Sequence, residues 1–157
     1  MKILVVSDTH RRHENLDTAI MREMPDRIFH LGDGEGCEFY MEAMAECPVD
    51  IVCGNCDLGS SLPSQILVEV GAHRVMLTHG HYYGVNYGTE TLIEAAKGYK
   101  ADVVIYGHTH VPYLEQSDIT VLNPGSISSP RQEGRRPSYA VMELDDDGQL
   151  QFRICYL

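Results

Sequence analysis

The chain has 157 residues, a length that fits one domain with its own hydrophobic core. Its 43% hydrophobic and 22% charged residues are ordinary for a globular protein, and no apolar run approaches the roughly 20 residues that span a bilayer. The formal net charge of −11 disfavours a nucleic-acid surface, which needs a basic footprint. The first ten residues, MKILVVSDTH, lack the features of a signal peptide. We therefore expect one cytoplasmic domain over 1–157, without a membrane or nucleic-acid partner.

The first third of the chain alternates strand, polar exit and helix. Apolar segments predict strands over 2–7, 27–31 and 49–53. Apolar residues at helical spacing predict helices between them, over 15–24 and 37–47. Because this is βαβ winding, the three strands are expected to pair in parallel.

The rest of the chain moves from mixed to purely strand-like structure. A loop rich in Gly, Ser and Pro over 58–64 precedes a predicted hairpin of strands 65–70 and 73–78. A Tyr- and Gly-rich loop over 82–88 leads to a helix over 89–97, for which Thr89 is the expected N-cap. The remaining predicted strands are 103–106, 111–116, 119–122, 138–144 and 149–156.

Five predicted strands end in side chains that can bind a metal ion. These side chains are Asp8 and His10, Asp33, Asn55, His79, and His108 with His110. Neighbouring strands lie ~4.8 Å apart, so the exits of parallel strands can bring such groups together. Each residue alone would be explained by a polar turn. Their recurrence at successive strand exits predicts a single metal site.

The donor set has two carboxylates, one amide oxygen and four imidazoles, which is more than one ion needs. A carboxylate can bridge two ions ~3.5–4 Å apart. Mixed oxygen and nitrogen donors favour transition metals over Mg²⁺ or Ca²⁺. We therefore expect two divalent transition-metal ions, with manganese first and nickel, iron, zinc and cobalt as alternatives.

The order of these motifs resembles that of the calcineurin-like metallophosphoesterase family. The motifs are Asp8-x-His10, Gly32-Asp33, Gly54-Asn55, Thr78-His79-Gly80-His81, Gly107-His108-Thr109-His110 and Asn123-Pro124-Gly125-Ser126. The short length and the Gly-Asn-Cys-Asp segment are similar to the small bacterial and archaeal phosphodiesterase branch. The resemblance implies an α/β fold, a four-layer αββα sandwich of two mixed β-sheets flanked by helices, with the metal site at the C-terminal ends of strands.

The resemblance also implies how the ligands are shared. Asp8, His10 and His110 would hold one ion, and Asn55, His79 and His108 the other. Asp33 would bridge the two ions. A bridging hydroxide would then attack the phosphorus of a small phosphorylated substrate in line, which places Asp33 and Asn55 in the catalytic machinery as well.

Cys56 departs from the wider family, in which a histidine follows the metal-binding asparagine and assists the leaving group. A thiol with an ordinary pKa of ~8.5 is a weaker acid catalyst near neutrality than an imidazole. Cys56 is kept as a candidate catalytic residue, and we expect an altered preference among leaving groups.

Other functions compete with hydrolysis. Cys53 and Cys56 have redox spacing, but the segment DLGSSLPS that follows does not favour the helix such a motif should open. The acidic charge argues against a nuclease. A non-catalytic protein-binding scaffold is the main alternative, because the same fold serves a membrane-trafficking coat subunit with a degraded metal site. The presence of all seven donors favours an enzyme; a homo-oligomer is possible.

Residues near the motifs receive simpler interpretations. Arg11 could meet a phosphate, but a solvated turn is favoured. His81 is expected to border the site, and His30 is expected to be structural. Tyr82 and Tyr87 could line a pocket or pack in the core.

Overall fold

The computed structural model describes all 157 residues and contains ten strands and three α-helices. The strands are β1 (Lys2–Val6), β2 (Arg27–His30), β3 (Val49–Ile51), β4 (Gln65–Val70), β5 (His73–Thr78), β6 (Val103–Ile105), β7 (Pro112–Glu115), β8 (Thr120–Pro124), β9 (Ser138–Leu144) and β10 (Leu150–Tyr156). The helices are α1 (Glu14–Glu23), α2 (Glu38–Met44) and α3 (Glu90–Gly98), and a short 3-10 helix covers His81–Tyr83.

The strands form two five-stranded mixed sheets. The first has the order β10-β9-β1-β2-β3, and the second has the order β4-β5-β6-β8-β7. Strands β1, β2 and β3 pair in parallel, as the βαβ winding predicts, and β9 and β10 add antiparallel strands. In the second sheet β5, β6 and β8 are parallel, and β4 and β7 are antiparallel edges.

The two sheets pack face to face around a central core. Alternate residues of each strand point into this core, among them Ile3, Phe29, Leu77 and Ile105. The opposite faces also carry buried apolar residues, because each sheet packs against helices on that side. Helices α1 and α2 cover the first sheet and α3 covers the second. The predicted four-layer αββα sandwich is therefore confirmed.

Three local details differ from the sequence prediction. Helix α2 ends at Met44 rather than residue 47, because Glu46 adopts a left-handed backbone with φ of 49° shortly before Pro48. Thr89 occupies the N-cap of α3, but its side chain makes no capping hydrogen bond. The Tyr- and Gly-rich segment contains the 3-10 helix, and Tyr82 and Tyr87 are exposed rather than packed in the core. None of the helices has the length and apolarity that crossing a bilayer requires.

Candidate metal centre

The predicted ligands lie in the loops that follow β1, β2, β3, β5 and β6. Backbone hydrogen bonds hold neighbouring exits together: the amides of Asp8 and His10 donate to the carbonyls of Gly32 and Asp33, both at 3.0 Å. In the second sheet the amide of Gly107 donates to the carbonyl of His79 at 3.1 Å. Backbone hydrogen bonds alone therefore hold neighbouring strand ends together in both sheets.

One side chain joins the two sheets at this edge. The Oδ2 atom of Asp8 accepts hydrogen bonds from the Ser7 hydroxyl at 2.6 Å and from the backbone amide of His108 at 3.2 Å. The hydroxyl of Ser126 donates to the carbonyl of Asp8 at 2.9 Å. Asp8 is fully buried, and its hydrogen bond to the His108 amide links the loop after β1 to the loop after β6.

Five of the seven predicted ligand positions have a left-handed backbone. Their φ angles lie between 46° and 68°, at Asp8, His10, Asp33, His108 and His110. For residues other than glycine this conformation costs ~1–2 kcal/mol each. Such strain persists only where the surroundings impose it, and it is frequent at functional sites.

The side chains of Asp8, His10 and His110 meet at one point. Oδ1 of Asp8 lies 3.0 Å from Nε2 of His110 and 4.0 Å from Nε2 of His10, and the two imidazole nitrogens are 3.5 Å apart. A carboxylate oxygen of Asp33 completes this cluster, with all four donor atoms within 4.8 Å of one another. The cluster therefore has the composition of a metal site.

The remaining predicted ligands lie on the other side of Asp33. Nε2 of His79 is 3.4 Å from Oδ2 of Asp33 and 3.2 Å from Oδ1 of Asn55. The rings of His79 and His108 are 5.1 Å apart, centroid to centroid. All seven predicted ligands thus converge, and the Asp33 carboxylate lies between the two groups.

The hydrogen bonds of three histidines fix which nitrogen faces the centre. Nδ1 of His79 and of His110 each lie 2.6 Å from a backbone carbonyl, of Leu31 and Ser129 respectively. Nδ1 of His10 lies 2.8 Å from Oε1 of Glu35. Because these oxygens only accept, each Nδ1 carries the proton, and in the neutral ring the Nε2 lone pair points into the centre.

A cation fits this arrangement better than the protein atoms alone do. Oδ1 of Asp8 is buried without a hydrogen-bond partner, although Nε2 of His110 lies 3.0 Å away. Unpartnered buried carboxylate oxygens are costly, and a metal ion would satisfy both this oxygen and the imidazole lone pairs. The residues present therefore fit divalent metal ions.

The pKa values of the site reflect its mixture of carboxylates and imidazoles. Burial alone would raise the pKa of Asp8 and Asp33, but their contacts with His110 and His79 hold both pKa values below the ordinary range. Burial would conversely lower the pKa of His79 and His110, and the same carboxylates raise both instead. Burial and the neighbouring His79 lower the pKa of His108.

Two carboxylates that the sequence analysis did not select support the site. Asp57 accepts hydrogen bonds from the backbone amides of Asp33, Gly54 and Glu35, at 2.8, 2.7 and 2.6 Å. It thereby ties the exit of β2 to the exit of β3. Glu35 contacts His10 directly. Glu35 lies two residues after Asp33 and Asp57 two residues after Asn55, and this proximity to predicted ligands was the available sequence signal.

Cys56 is exposed beside the centre and lines an open cavity of about 470 Å³ that also includes Arg11, Glu35 and Glu38. Its backbone amide donates to Oδ1 of Asp33 at 2.8 Å, and its sulfur lies 3.4 Å from Nδ2 of Asn55. Burial and the Asp33 carboxylate raise the pKa of the Cys56 thiol to about 11. The thiol is therefore an even weaker acid than the sequence alone suggests.

The secondary residues take simple positions. Arg11 is exposed and pairs with Glu35, with Nε 3.2 Å from Oε2. The ring of His81 lies 5.4 Å from that of His79, at the border of the site. His30 is fully buried beneath the β1 and β2 loops and hydrogen-bonds with Thr9, outside the ligand set.

Comparisons with known proteins give the same family as the motifs. The model of the calcineurin-like phosphoesterase superfamily domain matches residues 1–147. The probable metallophosphoesterase YsnB of Bacillus subtilis is 33% identical over 150 residues, covering 94% of this chain and 86% of that protein. A probable metallophosphoesterase of Methanothermobacter thermautotrophicus is 36% identical over 154 residues, covering 94% and 88%.

Two further proteins are similar over part of the chain or in fold. Phosphodiesterase YfcE of Escherichia coli is 40% identical over 82 residues, which cover 52% of this chain and 39% of YfcE. The zinc complex of Vps29 from Entamoeba histolytica has a TM-score of 0.78 and 23% identity, with 99% of each chain covered, a likeness that shows the fold alone.

A crystal structure of a predicted phosphoesterase from Streptococcus pneumoniae superposes with a TM-score of 0.80 at 29% identity, covering 99% of this chain and 97% of that one. The family model, the two probable metallophosphoesterases and this structure each span most of the chain. The chain therefore belongs to the calcineurin-like metallophosphoesterase family, within its branch of small bacterial and archaeal members.

Proposed function

We propose that the protein is a phosphodiesterase that uses two divalent transition-metal ions, manganese first among them, to hydrolyse a small phosphorylated substrate. The observation that carries the proposal is the convergence of seven donors around Asp33, with imidazole lone pairs and the unpartnered Oδ1 of Asp8 facing inward. The partial match to YfcE supports a diester as the substrate.

In this proposal the two groups of ligands have distinct tasks. Asp8, His10 and His110 would hold one ion, and Asn55, His79 and His108 would hold the other. The Asp33 carboxylate would contribute to both sites, and its position between the two groups supports this. When bound, such ions lower the pKa of water and neutralise charge on phosphoryl oxygens.

The protein groups prepare this chemistry by fixing geometry. The Cys56 amide holds the Asp33 carboxylate, and Asp57 holds the loop of Asp33. The Asp33 carboxylate therefore keeps one position relative to a bound diester, as in-line attack requires. The Cys56 thiol, with its raised pKa, gives the leaving group little acid assistance. Substrates with good leaving groups are therefore favoured.

The alternative is a non-catalytic protein-binding scaffold on the same fold. It is favoured by an exposed apolar groove between α1 and α2, where Met21 and Met24 are 71% and 80% exposed. A scaffold has no need of seven converging metal donors, so the enzyme remains the preferred function. The expected cytoplasmic location and the possible homo-oligomer stay predictions.

The test combines metal content with turnover. Metal-free protein is reconstituted with Mn²⁺ or Ni²⁺, its ion content is measured, and bis(p-nitrophenyl) phosphate and a panel of natural phosphodiesters and nucleotides are offered. Two ions per chain with diester turnover are expected. Protein that takes up no metal and hydrolyses no ester would instead be a scaffold.

A further inference from the structure

Glu35 makes a contact that none of the sequence motifs points to. It lies in the loop after β2, two residues beyond Asp33, and its Oε1 atom is 2.8 Å from Nδ1 of His10. His10 belongs to the loop after β1, so Glu35 joins a candidate ligand on one strand exit to the exit of the neighbouring strand. Its side chain is 23% exposed, which leaves this contact partly shielded from water.

This contact distinguishes His10 from two other candidate ligands. His79 and His110 donate Nδ1–H to backbone carbonyls, which are neutral. His10 donates to a carboxylate. A charge-assisted hydrogen bond of this kind is stronger, and a carboxylate behind an imidazole adds negative charge to a metal site without occupying a coordination position.

The Glu35 carboxylate is itself held in place. Its second oxygen, Oε2, lies 3.2 Å from Nε of Arg11, and its backbone amide donates to Oδ1 of Asp57 at 2.6 Å. The side chain is thus fixed between two neighbours while it contacts His10. Such a preorganised partner holds the imidazole ring in one orientation before any ion arrives.

The two groups of ligands are unequal in this respect. The group of Asp8, His10 and His110 has a buried carboxylate of its own and Glu35 behind it. The group of Asn55, His79 and His108 has only the shared Asp33, and Nε2 of His108 lies 2.9 Å from Nδ2 of Asn86. Negative charge is therefore concentrated on the first group.

We propose that Glu35 is a positioning residue that acts through His10 and makes the group of Asp8, His10 and His110 the tighter of two metal sites. This inference rests on the proposed function, since it assumes that two ions bind. It extends that function by giving the order of metal uptake, with the Glu35-supported site filled first.

The experiment is a calorimetric titration of metal-free protein with Mn²⁺, comparing wild type with Glu35→Gln. The wild type should show two binding events of different affinity. Glutamine keeps the size of the side chain but removes its charge, so Glu35→Gln should weaken the tighter event by ~10–100-fold and leave the weaker event unchanged. The thermal midpoint of the metal-free variant should stay near that of wild type.

Two control variants separate the His10 contact from other effects. Arg11→Gln removes the ion pair with Glu35 but keeps the carboxylate beside His10. Glu38→Gln removes a neighbouring negative charge that lines the same cavity without contacting a candidate ligand. Glu38→Gln should bind Mn²⁺ as wild type does. Arg11→Gln loosens one contact of Glu35 but leaves its charge beside His10, so it should weaken the tighter event far less than Glu35→Gln does.

The outcomes distinguish failure of the Glu35 proposal from failure of the proposed function. Wild type that binds two ions and cleaves diesters, together with Glu35→Gln that binds the first ion equally tightly, overturns the role of Glu35 alone. An equal loss in Glu38→Gln also overturns it, because a general loss of negative charge near the site would then be responsible. Wild type that binds no metal overturns the proposed function itself.

Discussion

Gly54→Ala is a single added methyl group that tests whether the position of Asp33 controls activity. Gly54 follows β3 and has an ordinary backbone conformation, so alanine introduces no backbone strain of its own. The added Cβ would lie 2.1 Å from Oδ1 and 2.8 Å from Cγ of Asp33. The effect of the substitution is therefore steric and falls on the residue proposed to contact both ions.

The required displacement follows from these distances. Real Cβ contacts are essentially never shorter than 3.0 Å, so the carboxylate oxygen must move by about 3.0 − 2.1 = 0.9 Å. The backbone cannot move instead without disturbing the Asp33 amide, which would lie 2.5 Å from the new Cβ and donates to Asp57. A misplacement near 1 Å costs ~10²-fold in rate, and overpacking costs ~1–3 kcal/mol of unfolding free energy.

The assay is kcat/KM for bis(p-nitrophenyl) phosphate at saturating Mn²⁺, with bound metal and denaturant unfolding measured in parallel. Gly98→Ala is the matched control, because nothing lies within 4 Å of a Cβ at this end of α3. It should keep full activity. Wild-type kcat/KM and metal content in Gly54→Ala would refute the reasoning, since the carboxylate would then tolerate the displacement.

Three further predictions address the ligands and the leaving group. Asp33→Asn should abolish most turnover while circular dichroism stays native, because an amide bridges two ions poorly; retained turnover with normal metal content would contradict the bridging role. The neighbouring carboxylates raise the pKa of His79 and His110, so protons compete with metal from above the ordinary imidazole value of ~6.5 as pH falls. At limiting Mn²⁺ both affinity and rate should therefore decline from pH 8 to pH 5, and a flat profile would refute this. For Cys56, whose thiol pKa is raised to about 11, aryl diesters should be cleaved readily and alkyl diesters slowly. Cys56→His should narrow that gap by speeding poor leaving groups, within the ~10²–10⁴-fold range of general acid catalysis, and Cys56→Ala should leave aryl turnover unchanged. Loss of aryl turnover in Cys56→Ala with metal still bound would give Cys56 a direct chemical role.

The fold was predictable because its local signals agree with its topology. Continuous apolar segments predict parallel strands that are buried on both faces. The helices predicted between β1, β2 and β3 supply the crossover connections that parallel pairing requires. Parallel strands of one sheet bring their C-terminal ends to one edge, so the convergence of the ligands followed from the order of strands. The early end of α2 was harder to predict, because it depends on a left-handed turn at Glu46.

The supporting carboxylates could not be predicted in the same way. Glu35 and Asp57 act on backbone amides and on an imidazole from other loops, and these contacts exist only once β2 lies between β1 and β3. Loop residues have no periodicity that assigns them a direction. Asn86 is exposed and contacts His108 from a loop 22 residues earlier in the chain, and no sequence pattern predicts this contact either.

The left-handed backbone at five predicted ligand positions has a consequence for how the site could be lost during evolution. The strained conformations lower the stability of the chain, so selection would maintain them only while the site binds an ion. If selection for metal binding is relaxed, substitution by glycine or asparagine at a partly exposed position such as His108 would remove a predicted ligand and relieve backbone strain in the same step. Decay of the metal centre would then be favoured by folding rather than opposed by it.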